Sequence, residues 1–88
     1  MADVPLGREP EPGEFARAVS DQIRLALTTH RTSGAQLAVL IGRSQSYVSK
    51  RLRNESSFSA NDVQIICEVL GVDLLKLLTA AIRAMRSK

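Results

Sequence analysis

Residues 33 to 53 read SGAQLAVLIGRSQSYVSKRLR, and the order of residue types in this stretch decides the fold. Ser33 followed three residues on by Gln36 has the spacing of a capping box, which satisfies otherwise orphaned amides at a helix start. Leu37, Leu40 and Ile41 supply an apolar face, with the small Ala38 where two helices would have to approach closely. Gly42 ends the run, because a residue without Cβ enters the left-handed conformation freely. Only Arg43 separates that glycine from Ser44, which can cap the next helix. In that helix Val48 and Leu52 form the buried side, while Ser44, Gln45, Ser46, Ser49, Lys50 and Arg53 spread over the open faces. Two short helices joined by a tight turn can set the second into the major groove of DNA, which is wide enough to admit it. From Arg31 to Asn54 there are five basic residues and no acidic one. An unconstrained surface helix usually mixes both signs.

Working outward, a first helix is predicted from about Glu14 to Thr29, with Phe15, Val19, Ile23 and Ala26 or Leu27 recurring at helical spacing. Thr28, Thr29 and His30 are weak helix formers and mark its end. His30, the one histidine, has no second metal ligand nearby and suits a helix C-terminus, where the dipole favours it. Beyond the central stretch, Asn54 can stop the third helix by tolerating positive φ. A loop from Glu55 to Phe58 leads to a second capping box, Ser59 with Asp62. The fourth helix then runs on Val63, Ile66, Cys67 and Leu70 to Gly71. Asp73 caps a fifth helix, Leu74 to about Met85. The predicted fold is all-α: five short helices in one domain over residues 14–88, preceded by an arm over residues 1–13.

The 88 residues and single cysteine bound the rest. One small domain is all this length allows. Cys67 excludes an intramolecular disulfide, and on its apolar stripe it is most simply a small core hydrophobe. Pro5, Pro10, Pro12 and Gly7 give the arm too little apolar surface to offset its ordering entropy, so it is expected to be flexible. No apolar run reaches membrane-spanning length and no signal-peptide core is present, so a cytoplasmic location and no membrane partner are expected. With one His, one Cys, no glycine-rich phosphate loop and no clustered acid pair, neither a metal site nor a nucleophile–base set can be assembled. No enzyme activity, metal, cofactor or small-molecule ligand is implied. The formal charge of +3 divides unevenly: the first 14 residues are net acidic and the remainder strongly basic. A folded part with that balance favours a polyanion through counterion release, although solubility alone would also account for it.

At this point the chain resembles the helix-turn-helix domain of the phage repressor and Cro family, the lambda-repressor-like or XRE type. The likeness covers about Phe15 to Leu78. It rests on Leu37-Ala38, Ile41-Gly42, Ser44-Gln45-Ser46 and Val48-Ser49, with Leu70-Gly71-Val72 ahead of a leucine-rich helix. The resemblance implies a five-helix domain, usually dimeric, that binds operator DNA and blocks transcription. Three positions depart from the family pattern. Gly34 stands where many members carry a phosphate-contacting glutamine, leaving that contact to Thr32 or Gln36, or absent. Arg43 occupies a turn position usually apolar. Arg51 sits where Ile or Leu is common, which leaves open whether Lys50 or Arg51 faces the bases.

Reach then assigns the candidates. Gln45 and Ser46, in the first turn of the third helix, would enter deepest, and a glutamine amide can pair bidentately with adenine. Ser49 and Lys50, one turn on, complete the base-reading set. Arg43, Ser44 and Arg53, with Thr32, Gln36 and Asn54, would hold phosphates and fix register. Tyr47 and Arg51 are further possible DNA contacts, Tyr47 equally able to pack on the second helix. One domain of this size buries too little for specific affinity alone, so a C2 homodimer on a two-fold symmetric operator is expected. Leu74, Leu77 and Ala81 would face the domain while Leu75, Leu78, Ile82 and Met85 line the dimer contact. The alternatives are burial of the fifth helix within the monomer, the antitoxin of a toxin–antitoxin operon, and a protein-interaction module using that helix.

Overall fold

A computed structural model describes residues 10–87; of the arm expected over residues 1–13, the first nine residues lie outside that range. Five helices follow in order: α1 Glu14–Thr29, α2 Gly34–Ile41, α3 Gln45–Leu52, α4 Ala60–Leu70 and α5 Leu74–Arg86. The described residues contain no strand.

The starts of α2 to α5 are set by the expected side chains. Ser33 Oγ accepts from Gln36 N while Gln36 Oε1 accepts from Ser33 N, and Ser59 with Asp62 repeats the arrangement. Ser44 and Asp73 cap α3 and α5 through the amides of Tyr47 and Lys76. The ends of α1 to α4 share one geometry. Thr32 N donates to Leu27 O, Arg43 N to Ala38 O, Glu55 N to Lys50 O and Val72 N to Cys67 O, each at 2.9 Å. These are the six-to-one bonds of a Schellman turn, which needs a left-handed residue just past the helix. Gly42 and Gly71 fill that position at φ 70° and 68°, Asn54 at 62° and Arg31 at 52°.

α1 packs along α5, α2 lies on α3 and α4, and α1 also meets α3. Ile23, Leu37, Val48, Ile66 and Ala81 are fully shielded at the centre, and Cys67 lies among them. Burial of that aliphatic set is the main favourable term holding the helices together. Two polar residues are buried with it, Asp62 of α4 and Ser20 of α1, and Ser20 Oγ donates to Arg51 O of α3 at 2.9 Å.

Several face assignments differ from the sequence expectation. Phe15, Leu40 and Leu74 are exposed and not in the core, because α1, α2 and α5 each bury a narrower stripe than their apolar content suggests. On α5, Leu77 and Ala81 face the domain as anticipated. Leu78 and Met85 also turn inward, half-buried against the core, so of the four residues expected at the dimer contact only Leu75 and Ile82 are exposed.

Candidate nucleic-acid interface

α3 is only eight residues long and buries just one of them, Val48. Val48 and the half-buried Leu52 fix its inner side, so the residues between must look outward or sideways. Gln45, Ser46 and Lys50 are exposed; Ser49 is half-buried. Lys50 and Arg51 part company. Lys50 points away from the domain, whereas Arg51 folds back, with its guanidinium carbon 3.4 Å from the centroid of the Tyr47 ring. Its side chain also donates to Tyr47 O at 3.1 Å. A cation over an aromatic face is held by the ring quadrupole, which is how a charged residue occupies a position that is usually aliphatic.

Arg43 belongs to the same group. Its guanidinium carbon lies 4.5 Å from the Tyr47 centroid, and Nη2 is 3.4 Å from Asp62 Oδ1. The Tyr47 hydroxyl donates to Asp62 Oδ2 at 2.5 Å. Two of the departures from the family pattern are therefore one structural feature: a tyrosine carrying two arginines and anchored to a buried carboxylate on α4. Burial pushes the Asp62 carboxyl up, but the bonds from Tyr47 and Ser59 and the Arg43 charge outweigh it. The group stays below the ordinary carboxylate range. The Tyr47 hydroxyl is pushed the other way by burial and by its carboxylate partner, against the pull of Arg51 and Arg43.

The remaining candidates ring the ends of α2 and α3. Ser33, Gly34, Ala35, Gln45, Ser49, Leu52 and Arg53 line one open cleft of about 390 Å³. It unites the first turn of α2, with its unpaired-by-helix amides, and both ends of α3. Gly34 permits this closeness, since a Cβ there would stand 3.3 Å from Leu52 Cδ1. Arg53 is exposed but already engaged, with Nε 2.6 Å from Glu55 Oε2 and Nη1 donating to Ser49 Oγ. That pairing holds the Glu55 carboxyl below its usual range. Ser44 Oγ and Gln36 Oε1 are committed to caps. Thr32, half-buried, donates from Oγ1 to His30 O at 3.2 Å, and Asn54 sits half-buried in the turn.

Sequence reasoning missed Asp62 and Ser20 as parts of this site. Asp62 was legible only as a helix cap. Ser20 carried a signal, lying on the stripe with Ile23 and Leu27. Among the described residues, no three metal-binding side chains gather, and no helix is long and apolar enough to cross a membrane.

No curated protein matches the sequence. Two crystal structures of the clp gene regulator ClgR from Corynebacterium glutamicum resemble the fold. One has a TM-score of 0.75 at 20% identity, covering 84% of this chain and 96% of that one. The other has a TM-score of 0.77 at 23% identity, covering 88% and 81%. At such identities the likeness establishes the shared arrangement of helices. A family model described as Helix-turn-helix matches residues 23–77, well over half of the chain and all of α2, α3 and α4. The chain belongs to the lambda-repressor-like (XRE) helix-turn-helix family of DNA-binding transcriptional regulators, which act by binding and not by catalysis.

Proposed function

We propose that this protein is a sequence-specific repressor of the small phage Cro or immunity-repressor type, binding a palindromic operator as a dimer. The observation that carries the reading is the exposure of Gln45, Ser46 and Lys50 on a helix anchored by a single fully buried side chain. Such a helix can enter the major groove with its N-terminal turn leading. Gln45, Ser46, Ser49 and Lys50 read base edges in this scheme. Arg43, Ser44 and Arg53 hold phosphates, joined by Thr32, Gln36 and Asn54. The first turn of α2 adds amides and a positive dipole end beside Arg53, a combination suited to a phosphate. Leu75 and Ile82, exposed one heptad apart on α5, are the support for a two-fold contact; Leu78 and Met85 would contribute to it only from their half-buried edges.

Selection of duplexes from a random pool tests this directly. The winning sequences should show two-fold symmetry, with half-sites about one DNA turn apart, roughly 34 Å. Sedimentation should show a dimer at tens of micromolar on that operator. A pool from which nothing is enriched would overturn DNA reading by α3, and enriched sites without symmetry would overturn the dimer.

A further inference from the structure

Asp62 is the one buried acid among the described residues and lies outside the helix-turn-helix itself, in the first turn of α4. Its oxygens accept from donors on both sides. Tyr47 Oη and Ser59 N approach Oδ2 at 2.5 and 3.3 Å, and Arg43 Nη2 approaches Oδ1 at 3.4 Å. Two of these donors come from the turn and recognition helix, and one from its own cap. The cap accounts for an acid at this position but not for its burial. Burying an ion costs heavily unless it is paired and hydrogen-bonded, so the contacts across to Tyr47 and Arg43 are what allow the carboxylate to sit there.

We infer that Asp62 is a positioning residue for DNA recognition, fixing the tilt of α3 through Tyr47 Oη and holding the Arg43 guanidinium over the Tyr47 ring. This rests on the reading of α3 as the DNA-reading helix. The consequence is specific. Non-specific binding counts cations near phosphates and tolerates their displacement. Base readout depends on register, and small errors of placement remove bidentate pairs. Loss of the Asp62 clamp therefore degrades discrimination while sparing general affinity. Release of Arg43 and removal of one negative charge even favour the non-specific mode.

The experiment compares the parent, Asp62→Asn, Tyr47→Phe and the double variant. Each is titrated against the best duplex selected by the parent and against a scrambled duplex of equal length, well below the melting temperature. Asp62→Asn should lower the specific-to-scrambled affinity ratio about tenfold, the cost of one good base contact. Its affinity for the scrambled duplex should be unchanged or higher. Tyr47→Phe, which keeps the ring under both arginines, should give a similar loss and remains informative if Asp62→Asn does not fold. The double variant should lose less than the sum of the two single losses, because Asp62→Asn weakens, by removing the charge, the bond from Tyr47 Oη that Tyr47→Phe removes. An unchanged ratio in both single variants, or additive losses in the double variant, would overturn the role of Asp62. A parent that enriches no duplex would instead overturn the DNA reading on which it rests.

Discussion

Ser20 on α1 donates its hydroxyl to the carbonyl of Arg51, 31 positions later in the chain, at 2.9 Å. The bond joins the longest helix to the end of the recognition helix, at a position screened from water. Ser20→Ala removes the donor and leaves a small void in place of the buried Oγ. The expected loss is about 1 kcal/mol, or roughly 4–8 °C in melting temperature for a domain of this size. Thermal unfolding followed by circular dichroism checks it; a variant that melts with the parent would show the bond to be energetically idle.

Gln45 and Arg53 should fail in different ways. Gln45→Ala should cost about 1–3 kcal/mol on the preferred duplex and relax preference at one base position. Arg53→Ala should weaken binding to every sequence alike and reduce the salt slope by about one. Because Glu55 holds Arg53 in the free protein, Glu55→Gln should strengthen binding to all duplexes and steepen that slope. Fluorescence anisotropy across a salt series separates the three outcomes.

Acid should act through Asp62. Its carboxyl titrates below the ordinary value in the folded protein, so the unfolded chain takes up the proton first as pH falls. Stability from this group is therefore complete above the unfolded value, about 3.9. It is lost as pH falls through the folded value. Melting temperature measured from pH 7 down to pH 2 should drop more steeply for the parent than for Asp62→Asn.

Arg31 occupies a left-handed position that glycine fills after α2 and α4. A side chain in that region carries a strain that glycine lacks, partly offset by the greater freedom glycine loses on folding. Arg31→Gly should raise stability by about 0.5 kcal/mol. Gly42→Ala should lower it by about 1 kcal/mol, or more. Denaturant melts with unchanged slopes would report both.

The helices and their limits were legible because they are written in local chemistry. Ser33, Ser44, Ser59 and Asp73 cap, and Gly42, Asn54 and Gly71 turn, whatever else the chain does. Which way a side chain faces was less legible, since that depends on where a neighbouring helix stands. Phe15 and Leu74 looked like core and lie exposed at its margin; Leu78 and Met85 looked like surface and pack inward. The acid-free run from Arg31 to Asn54 was real as sequence and incomplete as surface. Folding returns Glu55 to Arg53 and Asp62 to Arg43, and no pattern within the run could announce partners from outside it.

Tyr47 is the only tyrosine, and the chain has no tryptophan. Ultraviolet emission from the protein therefore arises almost wholly at one ring, wedged between the turn, the recognition helix and α4. A carboxylate bonded to a phenol drains its excited state, so light output should brighten whenever that bond opens. The molecule carries its own unlabelled optical gauge of how tightly α3 is clamped to α4.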